Sequence, residues 1–82
     1  MAGMHFVYMV RCADGTLYTG YARDVERRTK DHNTGRGAKY TAQRRPVSLV
    51  YWEQCDSRSA ALKREYEVKH LARAGKESLL IR

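Results

Sequence analysis

Residues 5–20 read HFVYMVRCADGTLYTG, two segments rich in aromatic and β-branched residues on either side of an Asp-Gly pair. Segments of this composition favour β-strands, and Asp14-Gly15 is a strong turn signal. The pattern predicts a β-hairpin with strands at residues 5–12 and 17–20. A two-residue loop would put Tyr8 and Tyr18 on opposite faces of the hairpin. A three-residue loop with Gly15 in the left-handed conformation would put both on one face, and we favour it.

Beyond the hairpin, the chain predicts one more strand and three helices. Asp24 can cap a helix that ends at Asn33 and Gly35, and Asp56 or Ser57 can open a longer one that Gly75 ends. The predicted segments are a helix at 25–33, an exposed basic loop at 34–46 with a helical turn at 38–43, a strand at 48–54 and helices at 57–72 and 76–81. The order β-β-α-β-α-α predicts an α+β fold, a small three-stranded sheet with helices packed on it.

The length and composition exclude several classes of protein. Eighty-two residues make a single domain, spanning 1–82. With 43% hydrophobic and 30% charged residues, the chain is too apolar to be disordered. No apolar run approaches the roughly 20 residues of a membrane span, and the first residues lack the pattern of a secretory leader. We therefore expect a cytoplasmic protein with no membrane partner, and we assume a monomer.

The charge balance points to an anionic partner. Sixteen Lys and Arg against nine Asp and Glu give a net charge of +7 and a pI near 9.8. Small basic domains most often bind nucleic acid. The alternative is a basic protein with no polyanionic partner, and composition alone does not decide between them. The two cysteines, Cys12 and Cys55, are far apart and outside any Cys/His cluster, which predicts reduced core residues and no zinc site.

Three polar side chains stand where the helical pattern calls for apolar ones. On a helical wheel, Glu65 lies among Ala61 and Val68, the apolar stripe of its helix. It is either a metal ligand or general acid or base, or an edge residue that pairs with Arg58 or Lys69. In the first helix, Arg28 and His32 follow Val25 on the inward stripe. A lone histidine is usually structural, but an arginine, a histidine and an acid together favour an active site.

These residues, with Phe6-Val7-Tyr8 and Tyr18-Thr19-Gly20, resemble the GIY-YIG nuclease superfamily over roughly residues 5–72. Within it the chain is most similar to the short stand-alone UPF0213 type, through the stretches at residues 24–28, 32–33, 37–40 and 61–65. The resemblance implies an antiparallel three-stranded sheet flanked by helices. It also implies hydrolysis of DNA phosphodiesters with one divalent metal, Mg²⁺, for which Mn²⁺ could substitute. The chain departs from the pattern at Phe6-Val7, and no Asn follows Glu65.

The resemblance also implies a role for each matching residue. Tyr8 and Tyr18 match the two motif tyrosines, Arg28 and His32 match the active-site pair of the first helix, and Glu65 matches the metal-binding glutamate. Arg28 and a bound cation would stabilise charge on the phosphate in the transition state. The resemblance makes Tyr8 the general base. With a reference pKa of about 10, however, only about one phenol in a thousand is ionised at pH 7 unless Arg28 and the metal lower that pKa, so His32 competes for the role.

A basic, partly aromatic segment follows the first helix and predicts a DNA-binding surface. The residues assigned to it are Arg23, Arg36, Lys39, Tyr40, Arg44 and Arg45. No helix is arranged to read bases, so cleavage should follow DNA structure or single-strandedness more than sequence. The sequence therefore predicts a small metal-dependent DNA endonuclease that acts in DNA repair, recombination or processing. The alternative is a noncatalytic nucleic-acid-binding module on the same fold.

Overall fold

The computed structural model describes residues 4–80, which form a three-stranded antiparallel sheet flanked by helices. The elements in chain order are β1 (His5–Arg11), β2 (Leu17–Ala22), α1 (Val25–Asn33), α2 (Lys39–Ala42), β3 (Ser48–Cys55), α3 (Arg58–Lys69) and α4 (Arg73–Leu79). The strand order is β2-β1-β3, so β1 is the central strand. The predicted α+β class and element order are confirmed, with α2 as the helical turn of the basic loop. No helix within residues 4–80 is long and apolar enough to cross a bilayer.

The β1-β2 hairpin has the three-residue loop. The Cys12 amide donates to the Thr16 carbonyl at 2.8 Å, and Gly15 has φ 87°, the left-handed conformation that a side chain disfavours. In the resulting register Tyr8 lies opposite Gly20, and Val10 lies opposite Tyr18. Residues directly opposite share a face, so Tyr8 and Tyr18 project from the same side of the sheet. The prediction of the loop is confirmed.

The core is divided between the two faces of β1. Val7 and Met9, both fully buried, pack with Ala61 and Val68 of α3 on one face. Tyr8 and Val10 belong to the other face, where the buried Cys12 and Val47 pack. Cys12 is thus the core residue that the sequence predicts, while Cys55 is only partly buried. Burial raises the pKa of both thiols, which disfavours the reactive thiolate.

Helix α1 is fixed at both ends. Its predicted cap, Asp24, accepts a hydrogen bond from the Arg27 amide at 3.1 Å. At the other end the Asn33 side-chain amide donates to the Val47 carbonyl at 2.9 Å and accepts from the Val47 amide at 2.7 Å. This two-way clamp ties the end of α1 to the residue before β3. It holds the inward face of α1 against the Tyr8 side of the sheet.

The boundary between the last two helices differs from the prediction. Helix α3 ends at Lys69 and not at Ala72, and Gly75 lies inside α4 where the prediction had it end α3. The predicted last helix also reached Ile81, which lies outside the described residues. A glycine costs a helix only about 1 kcal/mol, and tertiary contacts override such propensities. Here Glu77 of α4 binds Arg11 of β1 through two bonds of 2.7 and 3.1 Å, which docks α4 on the sheet.

Candidate active site

A tyrosine of the central strand and a histidine of α1 form the back of the candidate site. The Tyr8 hydroxyl lies 2.6 Å from His32 Nε2. Tyr8 is 1% exposed and His32 is 0% exposed, although both carry polar atoms. Such burial is tolerated only because these atoms are hydrogen-bonded. His32, on the predicted inward stripe of α1, therefore contacts the phenol of Tyr8.

Two glycines make room for this pair. A Cβ at Gly20 would lie 2.6 Å from the Tyr8 hydroxyl oxygen, and one at Gly37 would lie 2.1 Å from His32 Nδ1. Real Cβ atoms do not approach other atoms so closely, so any side chain at either position requires a shift. Gly20 belongs to the Tyr18-Thr19-Gly20 segment that the sequence analysis singles out. Gly37 carries no comparable signal, since a glycine in a basic loop ordinarily reads as a turn residue.

Three more of the predicted site residues lie around this pair. Arg28 is half-buried on α1, one turn before His32, and its guanidinium lies close enough to the Tyr8 phenol to favour its ionised form. The Tyr18 ring meets the His32 ring edge-on, with centroids 5.3 Å apart. Glu65 of α3 is close enough for its charge to act on the Tyr8 phenol. The structure thus brings together all five residues assigned to catalysis and metal binding.

Burial and neighbouring charges set the protonation states of the Tyr8 phenol and the His32 imidazole. Burial raises the pKa of Tyr8 to about 12, and the neighbouring Arg28 guanidinium opposes that rise only in part. Burial, and then the charge of Arg28, lower the pKa of His32. At neutral pH the phenol is therefore protonated and the imidazole is neutral. The expectation that Arg28 could lower the pKa of Tyr8 below its ordinary value is not met without a metal, because desolvation is the larger effect.

Glu65 forms the ion pair with Lys69 that one of the two alternatives from the sequence predicts. Its carboxylate pairs with Lys69 at 3.0 Å, and its side chain is 17% exposed. By contrast Glu67, two residues on, is 63% exposed. Within residues 4–80 no three His, Cys, Asp or Glu side chains form a cluster that could hold a metal. Mg²⁺ commonly takes one or two carboxylates and completes its shell with waters and substrate phosphates, so a lone Glu65 at the site fits that ion.

The residues assigned to DNA binding fall into two groups. Tyr40 and Arg44 are joined, because the Arg44 guanidinium lies 3.8 Å from the centre of the Tyr40 ring, and that ring also stacks on Tyr18 at 6.0 Å. Arg44 further pairs with Asp14 at 3.0 Å. An unpaired base could stack on Tyr40 only by sharing the ring with these neighbours. This group connects the basic loop to Tyr18, one of the candidate site residues.

The other four cations lie apart from that contact. Arg23 donates to the Met4 carbonyl at 2.6 Å, and Arg45 donates to the carbonyls of Ala42 and Asn33. Arg36 and Lys39 are exposed side chains on either side of Gly37. The carbonyl contacts leave Arg23 and Arg45 exposed and charged. All four can therefore attract phosphates.

The candidate site differs in location from two surface depressions formed by the described residues. One of about 510 Å³ lies on the outer face of α1 and is lined by Asp24, Glu26, Arg27, Lys30 and Asp31. Another, of about 670 Å³, lies on the outer face of α3 and includes Leu62 and Tyr66. Neither contains a predicted site residue. The candidate site instead has the partly exposed Arg28, Tyr18 and Glu65 around the buried Tyr8 and His32.

One buried side chain at the site was missed by sequence reasoning. Thr41 of α2 is 0% exposed, and its hydroxyl oxygen lies 2.6 Å from His32 Nδ1. Helix α2 has four residues, too few for a periodic pattern to show which side chain faces inward. Thr41 therefore leaves no signal in a single sequence.

The comparisons with known proteins agree with this architecture. The GIY-YIG catalytic domain matches residues 4–78. A UPF0213 protein of Staphylococcus saprophyticus is 58% identical over 76 residues, 93% of each chain. A UPF0213 protein of Natronomonas pharaonis is 58% identical over 80 residues, which cover 98% of this chain and 94% of that protein.

Two solved structures share the fold. The solution NMR structure of a UPF0213 protein from Bacillus halodurans has a TM-score of 0.61 at 51% identity, and covers 94% of this chain and 82% of that one. The solution NMR structure of a protein from E. faecalis has a TM-score of 0.63 at 46% identity, with the same coverage.

Proposed function

The chain belongs to the GIY-YIG catalytic domain family and is similar to its UPF0213 members, and on that premise we propose that it is a metal-dependent DNA endonuclease. The family points to nuclease chemistry in general. The finer proposal is hydrolysis of DNA phosphodiesters assisted by Mg²⁺, or by Mn²⁺ as a substitute. The observation that carries it is the buried hydrogen bond between Tyr8 and His32, with Arg28 and the Glu65 carboxylate beside it.

The protonation states define how the base would work. With a pKa of about 12, only about one Tyr8 phenol in 100,000 is ionised at pH 7. A preformed phenolate is therefore too rare to be the base. The neutral His32 Nε2, 2.6 Å away, can accept the phenolic proton as the phenol takes one from water. Tyr8 and His32 then act as one base, which joins the two alternatives that the sequence left open.

In the proposed hydrolysis, water attacks phosphorus while Tyr8 and His32 accept protons. The water oxygen forms a bond to phosphorus, and one bridging P–O bond breaks. The water proton passes to the Tyr8 oxygen while the Tyr8 proton passes to His32 Nε2, and the leaving oxygen takes a proton from solvent. Arg28 donates hydrogen bonds toward the negative charge that develops on the phosphate oxygens. A cation held by Glu65 would add Lewis-acid stabilisation of the same charge.

The substrate proposal rests on the surface around the site. The exposed cations Arg36 and Lys39, with the joined Tyr40 and Arg44, supply contacts to phosphates and to one ring face, and such contacts carry little sequence information. We therefore propose selectivity for DNA structure or single strands. A role in DNA repair, recombination or processing would follow from that selectivity.

Cleavage assays with single-stranded, branched and duplex DNA, with and without Mg²⁺, test the proposal. Tyr8→Phe keeps the ring and removes the proton carrier, so it should lower the cleavage rate by about 10²- to 10⁴-fold. Glu65→Gln keeps the shape and removes the charge, and should abolish the cleavage that Mg²⁺ supports. Glu67→Gln, on the exposed side of the same helix, is the matched control and should cleave like the parent.

Two results would contradict the proposal. Binding without cleavage of any of these DNAs would favour the noncatalytic binding module. Cleavage that persists in folded Tyr8→Phe and Glu65→Gln proteins would come from a contaminant or from another site. Circular dichroism of each variant provides the check on folding.

A further inference from the structure

Thr41 occupies the side of the His32 ring opposite Tyr8. Its hydroxyl oxygen lies 2.6 Å from His32 Nδ1 and donates to the Ala38 carbonyl, 2.9 Å away. Both Thr41 and His32 are 0% exposed, so no solvent water replaces either contact. The two ring nitrogens of His32 are therefore each engaged by one side chain, Thr41 at Nδ1 and Tyr8 at Nε2.

These contacts form a series with one fixed end, the Ala38 carbonyl, which can only accept hydrogen bonds. Along the series, the hydroxyls of Tyr8 and Thr41 each carry one proton, and a neutral imidazole carries one.

Only one placement of those three protons makes every contact a hydrogen bond. Tyr8 donates to His32 Nε2, while Nδ1–H donates to the Thr41 oxygen and Thr41 donates to the Ala38 carbonyl. If Nε2 held the proton instead, the single Thr41 proton would have to serve both Nδ1 and the Ala38 carbonyl. One short contact would then join two lone pairs, which is costly in a buried site.

We propose that Thr41 is a positioning residue that holds neutral His32 as the Nδ1–H tautomer, so that Nε2 always faces the Tyr8 hydroxyl as an acceptor. The catalytic consequence rests on the proposed function, because an Nε2–H tautomer could not take the Tyr8 proton. The direction of the hydrogen bonds does not depend on that function and can be measured separately.

NMR of the ¹⁵N-labelled protein tests the direction of the bonds without any substrate. Ring nitrogen shifts distinguish a protonated from a bare nitrogen, and the parent should show His32 protonated at Nδ1 at neutral pH. Thr41→Val removes the acceptor at nearly constant shape and should shift His32 toward the Nε2–H form. Thr41→Ser keeps the hydroxyl and should restore the parent tautomer. Protonation of His32 at Nε2 in the parent protein would overturn the proposal, and this measurement does not depend on the folding of any variant.

Cleavage kinetics test the consequence. Thr41→Val should lower kcat by about 10- to 100-fold with little change in KM, and Thr41→Ser should recover most of that loss. Thr34→Val is the matched control, since Thr34 is an exposed threonine whose hydroxyl donates to the Asp31 carbonyl away from the ring. A folded Thr41→Val protein with parental kcat would overturn the positioning role. A parent with the Nδ1–H tautomer but no cleavage would support the tautomer assignment while refuting the proposed function.

Discussion

Replacing Gly37 by alanine should destabilise the protein, because no methyl group fits beside the His32 ring. The added Cβ would lie 2.1 Å from Nδ1 and 2.7 Å from Cγ of His32. An unstrained contact needs about 3.5 Å, so about 1.4 Å must be gained (3.5 − 2.1). The His32 ring is 0% exposed and hydrogen-bonded at both nitrogens, so it cannot move that far and keep its hydrogen bonds to Tyr8 and Thr41.

The expected size of the effect follows from that overlap. Overpacking of this kind costs about 1–3 kcal/mol, and each kcal/mol lowers the Tm of a domain of this size by roughly 4–8 °C. A displacement of about 1 Å at a catalytic group also lowers activity by roughly 100-fold. Thermal unfolding followed by circular dichroism gives the first quantity, and cleavage rates give the second.

Gly75→Ala is the control, the same chemical change at a glycine with room for it. There the nearest side-chain atom, Cβ of Leu71, would lie 3.4 Å from the added methyl group, and Gly75 lies inside α4. Alanine in a helix should raise stability by about 0.5–1 kcal/mol relative to glycine. The two variants should therefore shift Tm in opposite directions. A Gly37→Ala protein as stable as the parent would refute the reasoning, because it would mean that the loop yields freely and does not hold the ring.

Three further predictions concern stability and binding. Burial lowers the pKa of folded His32 below its ordinary value of about 6.5, so the unfolded chain is protonated at a higher pH than the folded protein. The stability that this residue contributes above pH 6.5 should therefore be lost as the pH falls toward the folded pKa. His32→Gln should flatten this part of a plot of the urea midpoint against pH. Asn33→Ala removes both bonds to the Val47 backbone and should lower the free energy of unfolding by about 1–3 kcal/mol at unchanged m, whereas an unchanged midpoint would show that the clamp contributes nothing. Lys39→Gln should reduce the slope of log affinity against log salt on duplex DNA by roughly 0.9, and a parental slope would exclude Lys39 from phosphate contact.

The sequence was most informative where local chemistry is strong. Asp14-Gly15 and the aromatic and β-branched segments beside it predicted the hairpin and left two alternatives for its loop, of which the favoured one is observed. The helical period then placed Arg28 and His32 on the inward side of α1. These features depend on turn geometry and periodicity, which neighbouring residues determine.

Features that depend on distant residues were not predictable in this way. The end of α3 and the inclusion of Gly75 in α4 follow from tertiary docking, to which the Arg11-Glu77 pair contributes. The contact of Thr41 with His32 joins a four-residue helix to α1, with no repeating pattern to mark it. The rise in the pKa of Tyr8 depends on how completely the fold buries it. Each requires knowledge of packing between elements.

Tyr8 lies in the central strand and belongs to one of the two buried clusters as well as to the candidate site. A substitution of Tyr8 therefore alters the packing of the whole sheet, so few substitutions at this position will leave the protein folded and functional in laboratory evolution. The exposed side chains of the loop between α1 and β3, such as Arg36 and Lys39, carry no such constraint. Libraries that aim to redirect substrate choice should vary this loop and leave the strand unchanged.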